Sequence, residues 1–143
     1  MATVELRFSA LPEHVRTARL VAAAVARRSG VDEAVLDEVR LAVGEACTRA
    51  VGLHQSGGIT APVKVSLIEE EKQFSIEVGD EAPRIAPGDR VPGSGDLDVD
   101  AEEDEMGLAV ISGLVDDVEV TAGEHGGLIR MTWPTTPPAT AVG

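Results

Sequence analysis

The chain has 143 residues, enough for one domain, with 43% apolar residues and a net charge of −13 from 25 acids and 12 bases. That balance excludes direct binding to nucleic acid phosphates, and no run approaches the roughly 20 apolar residues that a membrane helix needs. A single cysteine excludes an intrachain disulfide and a multi-cysteine zinc site.

Residues 3–9 alternate, with Val4, Leu6 and Phe8 on one side and Glu5 and Arg7 on the other, which predicts a half-buried strand. Leu11-Pro12-Glu13 then opens a helix that runs through Arg28 and stops near Gly30. Asp32 is placed to cap a second helix, whose Leu36, Val39, Val43, Ala46 and Ala50 form one apolar stripe. At about 100° per residue, Glu45 and Arg49 fall on the flank of that stripe, where a side chain can face a pocket. Cys47 lies on the apolar stripe and reads as a core residue. His54 reads as a helix-end residue, before the loop signal Gln55-Ser56-Gly57-Gly58.

Two alternating strands follow, one through Val63, Val65 and Leu67 and one through Phe74, Ile76 and Val78, with Glu69-Glu70-Glu71-Lys72 as the turn between them. Residues 81–105 are a long loop rich in proline, glycine and acid; from Asp89 to Glu105 eight acids face one base, Arg90. A short helix from Met106 to about Val115, a strand through Val118 and Val120, a glycine-rich turn and a last strand to Trp133 complete the pattern. From Pro134 onward the chain reads as a disordered tail. The order β-α-α-β-β-loop-α-β-β predicts an α+β fold, a two-layer sandwich on a mainly antiparallel mixed sheet, with a single domain over 1–133 and a tail over 134–143. With a −13 charge and no basic, apolar leader, a cytoplasmic chain is expected, with a basic protein partner or plain solubility as the use of its acidity.

Three motifs carry the chemistry. Residues 41–51, Leu-Ala-Val-Gly-Glu-Ala-Cys-Thr-Arg-Ala-Val, resemble the catalytic helix of the anti-sigma-factor serine kinases in the Bergerat (GHKL) ATPase superfamily. Val78-Gly79-Asp80-Glu81-Ala82-Pro83-Arg84 resembles that family's Asp-x-Gly-x-Gly box, and Glu105-Met106-Gly107-Leu108 its Gly-x-Gly-Leu box. The resemblance covers about residues 3–133. It implies the Bergerat histidine-kinase-like fold, ATP with Mg²⁺ as cofactor, and a sigma factor or a STAS-type anti-sigma antagonist as partner; a homodimer is implied as well.

By the same resemblance, Glu45 stands at the general-base position, Asp80 accepts from the adenine amino group, and Gly107 and Leu108 open the phosphate-binding helix. Arg19, with Arg16 one turn back, stands where the family grips protein partners. Against this, Arg49 replaces the Asn that ligates Mg²⁺, and a guanidinium has only donors. Ala82 and Arg84 replace two glycines, and Glu105 replaces a third at a helix N-terminus where a phosphate would sit. The acids between Asp96 and Glu105 add repulsion toward a triphosphate. The leading expectation is therefore a degenerate regulator that binds its partner with no cofactor and no metal. Two alternatives stand: an active serine kinase of an anti-sigma antagonist, and a pocket reused for another small anion held by Arg49 and Arg84. At the residue level, a surface i, i+4 pair of Glu45 with Arg49 and two solvated arginines offset by Glu13 are the plain readings of the same side chains.

Overall fold

The computed structural model describes residues 2–82 and 108–135. Strand β1 (Ala2–Phe8) leads to helix α1 (Pro12–Ser29), a 3-10 turn (Glu33–Val35) and helix α2 (Leu36–Ser56). Strands β2 (Val63–Glu69) and β3 (Gln73–Asp80) follow; beyond them are a helical stretch α3 (108–114) and strands β4 (Asp117–Gly123) and β5 (Gly126–Pro134).

The helix boundaries have local causes. Leu11 is extended (φ −124°, ψ 135°), as a residue before proline prefers, and Pro12 takes the first turn where its missing N–H costs nothing. Glu13 lies in the positive first turn of α1, and Arg27 and Arg28 in the negative last one. Asp32 does cap, accepting from the Ala34 N–H at 3.0 Å, but it caps the 3-10 turn. The α-helix proper starts three residues later than its position predicts, at Leu36.

The sheet order is β1-β2-β3-β5-β4, and all four pairings are antiparallel. Among the described residues no parallel pairing occurs, so the sheet is more uniform than the mixed one expected. Registration puts Val4, Leu67, Ile76, Met131 and Val118 in one row and Leu6, Val65, Val78, Ile129 and Val120 in the next. The β2 and β3 residues of these rows pack on α1 and α2, while Val120 at the β4 edge is 44% exposed. Small residues on the facing stripes, Ala18, Ala22 and Ala26 of α1 and Ala42, Ala46 and Ala50 of α2, let the helices approach closely. Ile111 and Val115 complete the core, which is aliphatic apart from Phe74 and Trp133.

The other sheet face is polar. Arg130 reaches Glu70 at 3.3 Å and Glu77 at 3.7 Å, and Ser75 Oγ meets Thr132 Oγ1 at 3.0 Å. Pro134, expected to open the tail, belongs to the sheet. Pro134 is the last residue of β5, opposite Gln73, and the Thr135 N–H donates to the Lys72 carbonyl at 3.1 Å. The expected loop at 83–105 and tail at 136–143 lie outside the described residues. No helix is long and apolar enough to cross a membrane among the described residues.

Candidate functional site

The site is built around α2. Its stripe is buried from Leu36 to His54, and Cys47 is fully buried within it. Burial in that apolar setting pushes the Cys47 thiol pKa up to about 12. Cys47 is thus a packing residue, as its place on the stripe predicts.

Asp80 ends β3 on the helix-facing side, in phase with Ile76 and Val78, so the alternation that buries those residues buries a carboxylate too. Its Oδ1 accepts from the Ala82 N–H at 3.0 Å, a turn bond two residues on that fixes the exit from the strand. Ala82 itself is buried.

Arg49 comes toward this carboxylate from α2. Its Nη1 lies 4.0 Å from Asp80 Oδ2, and the two side chains are only 7% and 2% exposed. Arg49 makes no ion pair with Glu45, so the surface pair predicted by the i, i+4 spacing is not formed. The reason is dielectric: attraction to a buried carboxylate is screened far less than attraction to an exposed one. A guanidinium offers no oxygen to a divalent cation, and Asp80 already holds the Ala82 amide and the Arg49 charge. The residues present at these two positions therefore do not fit a Mg²⁺-nucleotide. Among the described residues, no cluster of His, Cys, Asp and Glu is suited to a metal ion.

His54 also differs from its expected role at a helix end. It is fully buried. Its Nδ1–H donates to the Ala61 carbonyl at 2.9 Å, and its Nε2 accepts from the Glu81 N–H at 2.9 Å. One neutral ring thus ties the end of α2 to the segment before β2 and to the residue after Asp80. The signal was present in the sequence: Val43, Cys47, Ala50 and His54 continue one stripe at helical spacing.

Glu45 turns the other way. It is half-buried and lines an open groove of about 550 Å³ between α1 and α2, together with Arg16, Arg19, Leu41, Gly44 and Thr48. The structure thereby brings Glu45 and the two arginines expected to grip a partner to one surface. Arg19 lies across α2 at Gly44, where an added Cβ would stand 2.7 Å from its Cδ. Neither Arg16 nor Arg19 forms an ion pair among the described residues, and Leu20 and Leu41 are each 57% exposed. Asp80 and Arg49 form a second, buried cluster, with Ala82 at its edge. Leu108 is the first described residue of α3 and packs partly buried against the core. Arg84, Glu105 and Gly107 lie outside the described residues.

Residues 8–133 match the family described as histidine kinase-like ATPase domain. The chain is 32% identical over 136 residues to the serine-protein kinase RsbW of Bacillus pumilus, covering 90% of this chain and 83% of that one. It is 28% identical over 134 residues to the protein of the same name from Bacillus licheniformis, with the same coverage. A crystal structure of the RsbU and RsbW domains of a Mycobacterium tuberculosis protein superposes with a TM-score of 0.68 at 16% identity, covering 96% of this chain and 33% of that longer one.

Proposed function

The chain belongs to the histidine kinase-like ATPase domain family, within it to the branch of anti-sigma-factor serine kinases, and on that premise we propose that it is a regulator acting by protein–protein binding. Its partner is a sigma factor or a STAS-type anti-sigma antagonist, and ATP binding and phosphate transfer are lost or much weakened. The relatives named serine-protein kinase support the kind of partner. The observation that carries the loss of chemistry is the buried Arg49 guanidinium turned onto Asp80, in the place of an oxygen ligand.

The partner surface in this reading is the α1–α2 groove. Arg16 and Arg19 supply donors, exposed Leu41 supplies apolar contact, and Glu45 lines the same groove without a cation to work with. Arginine and apolar anchors of this kind dominate binding energy at protein interfaces. Calorimetry with Mg-ATP is expected to give no micromolar binding, while partner capture persists without nucleotide. Micromolar Mg-ATP affinity together with phosphate transfer to a STAS partner would overturn the proposal.

A further inference from the structure

The two edges of the sheet differ. At β1, Val4, Leu6 and Phe8 pack partly buried against the core, and Glu5 on the outer face is held by Arg7 at 2.8 Å and Lys64 at 3.5 Å. Among the described residues, β4 pairs with β5 alone, so its far edge carries main-chain N–H and C=O groups with no strand beside them. Six of its seven residues are exposed. It carries no lysine, no proline and no bulge, the devices that commonly blunt such an edge. Its core side presents Val118 and the exposed Val120. Its outer side presents Asp117 and Glu119, and neither forms an ion pair among the described residues. Arg130 stands opposite Glu119 in the register, yet it turns the other way, to Glu70 at 3.3 Å and Glu77 at 3.7 Å. Asp117 and Glu119 therefore keep their charge toward an open cavity of about 300 Å³ that they line with Gln73, Arg130 and Thr132.

We infer that β4 is a docking edge for an extended segment of a partner protein in which basic residues alternate with apolar, β-branched ones. Main-chain pairing supplies the attachment, as in other cases of strand addition. Alternation then sorts the side chains: the apolar ones meet Val118 and Val120, and the basic ones meet Asp117 and Glu119, with stems long enough to reach over β4 to the cavity. Charge selects the occupant. Residues 108–129 carry four acids, Asp116, Asp117, Glu119 and Glu124, and no lysine or arginine. Pairing with a second copy of this chain would bring those acids against themselves, which is unfavourable, whereas a basic strand gains at each outer position. The surface shares no residue with the α1–α2 groove and does not depend on nucleotide.

The test titrates the full-length protein with the peptide acetyl-Lys-Val-Arg-Val-Lys-Val-amide at about 0.15 M salt, followed by nuclear magnetic resonance and amide hydrogen exchange. The expected result is saturable binding with a dissociation constant below about 1 mM, and slower exchange of β4 amides. Two further peptides carry N-methyl groups on one or the other set of alternate amides. One should lose affinity about tenfold and the other keep it, because successive amides of a strand face opposite neighbours. Asp117→Asn/Glu119→Gln should weaken the parent peptide about tenfold, while Asp37→Asn/Glu38→Gln, the same charge change on α2, weakens it less than about twofold. No binding, equal affinity for all three peptides, or equal weakening by both double variants overturns the inference and leaves the groove reading standing. If Asp117→Asn/Glu119→Gln does not fold, the N-methylated pair on the wild type decides.

Discussion

His54 commits both ring nitrogens to backbone groups, Ala61 on one side and Glu81 on the other, and no water-exposed route replaces either bond at a fully buried residue. Truncation to alanine leaves a carbonyl and an amide unsatisfied and opens a cavity, at a cost of about 2–4 kcal/mol. Urea unfolding of His54→Ala should read that loss; a change under about 0.5 kcal/mol would show that the clamp is idle. Cys47 makes a second prediction at this scale. Its folded pKa is raised from 9.0 to about 12, so the unfolded state releases the thiol proton first. Its stabilising effect is fully present below pH 9 and declines as pH rises from about 9 toward 12, by about 1.4 kcal/mol per pH unit at most. Cys47→Ala should flatten that alkaline decline, measured as melting midpoint against pH, and the native thiol should resist alkylating reagents that modify the unfolded chain.

At the scale of elements, the groove exists because α2 carries a glycine where α1 carries a long basic side chain. Gly44 is buried at mid-helix, and Arg19 fills the place of its missing Cβ. Gly44→Ala removes the conformational penalty of a helical glycine, about 0.5–1 kcal/mol, and pushes aside only a flexible side chain. The melting midpoint should hold or rise while affinity for the sigma factor or antagonist falls about tenfold, read by calorimetry. Lower stability with unchanged affinity would remove Arg19 from the interface. The elements themselves were largely legible in the sequence. Alternation in Val63, Val65 and Leu67, the proline at Pro12 and the stripe from Leu36 to Ala50 each have a local cause, and each appears where expected. The destination of Arg49 was not legible. Its replacement of an oxygen ligand stands out in the sequence, but its meeting with Asp80 depends on how a helix packs on a sheet. The groove was hidden for the same reason, since Glu45, Arg16 and Arg19 converge only once α1 and α2 pack. Gly126 is a further case: its φ of 124° and the Asp80 carbonyl against it admit no Cβ, a close approach between β5 and the end of β3 that no turn motif announced.

At the scale of the whole molecule, charge sets a stability response that no single contact predicts. The described residues carry 17 acids and 10 bases, a net charge of −7, within a body about 13 Å in radius. The Debye length is about 30 Å at 0.01 M salt and about 10 Å at 0.1 M, so raising salt across that range takes the carboxylates from mutual view to near isolation. Opposing this are ion pairs such as Arg7 with Glu5 and Lys64 with Glu5, which are well exposed and contribute little. Repulsion therefore wins, and the melting midpoint should rise by a few degrees, about 2–5 °C, between 0.01 and 0.1 M sodium chloride. The double reversal Arg16→Glu/Arg19→Glu separates this global effect from the groove. Neither arginine has an ion-pair partner among the described residues to lose, so the reversal deepens the charge imbalance by four without breaking a pair. Its midpoint should fall at low salt and recover most of the difference at high salt, by scanning calorimetry, because screening acts on summed repulsion. A deficit that salt leaves untouched would mean that the two arginines hold α1 against α2, and the groove would then be part of the fold's support instead of a surface left open for a partner.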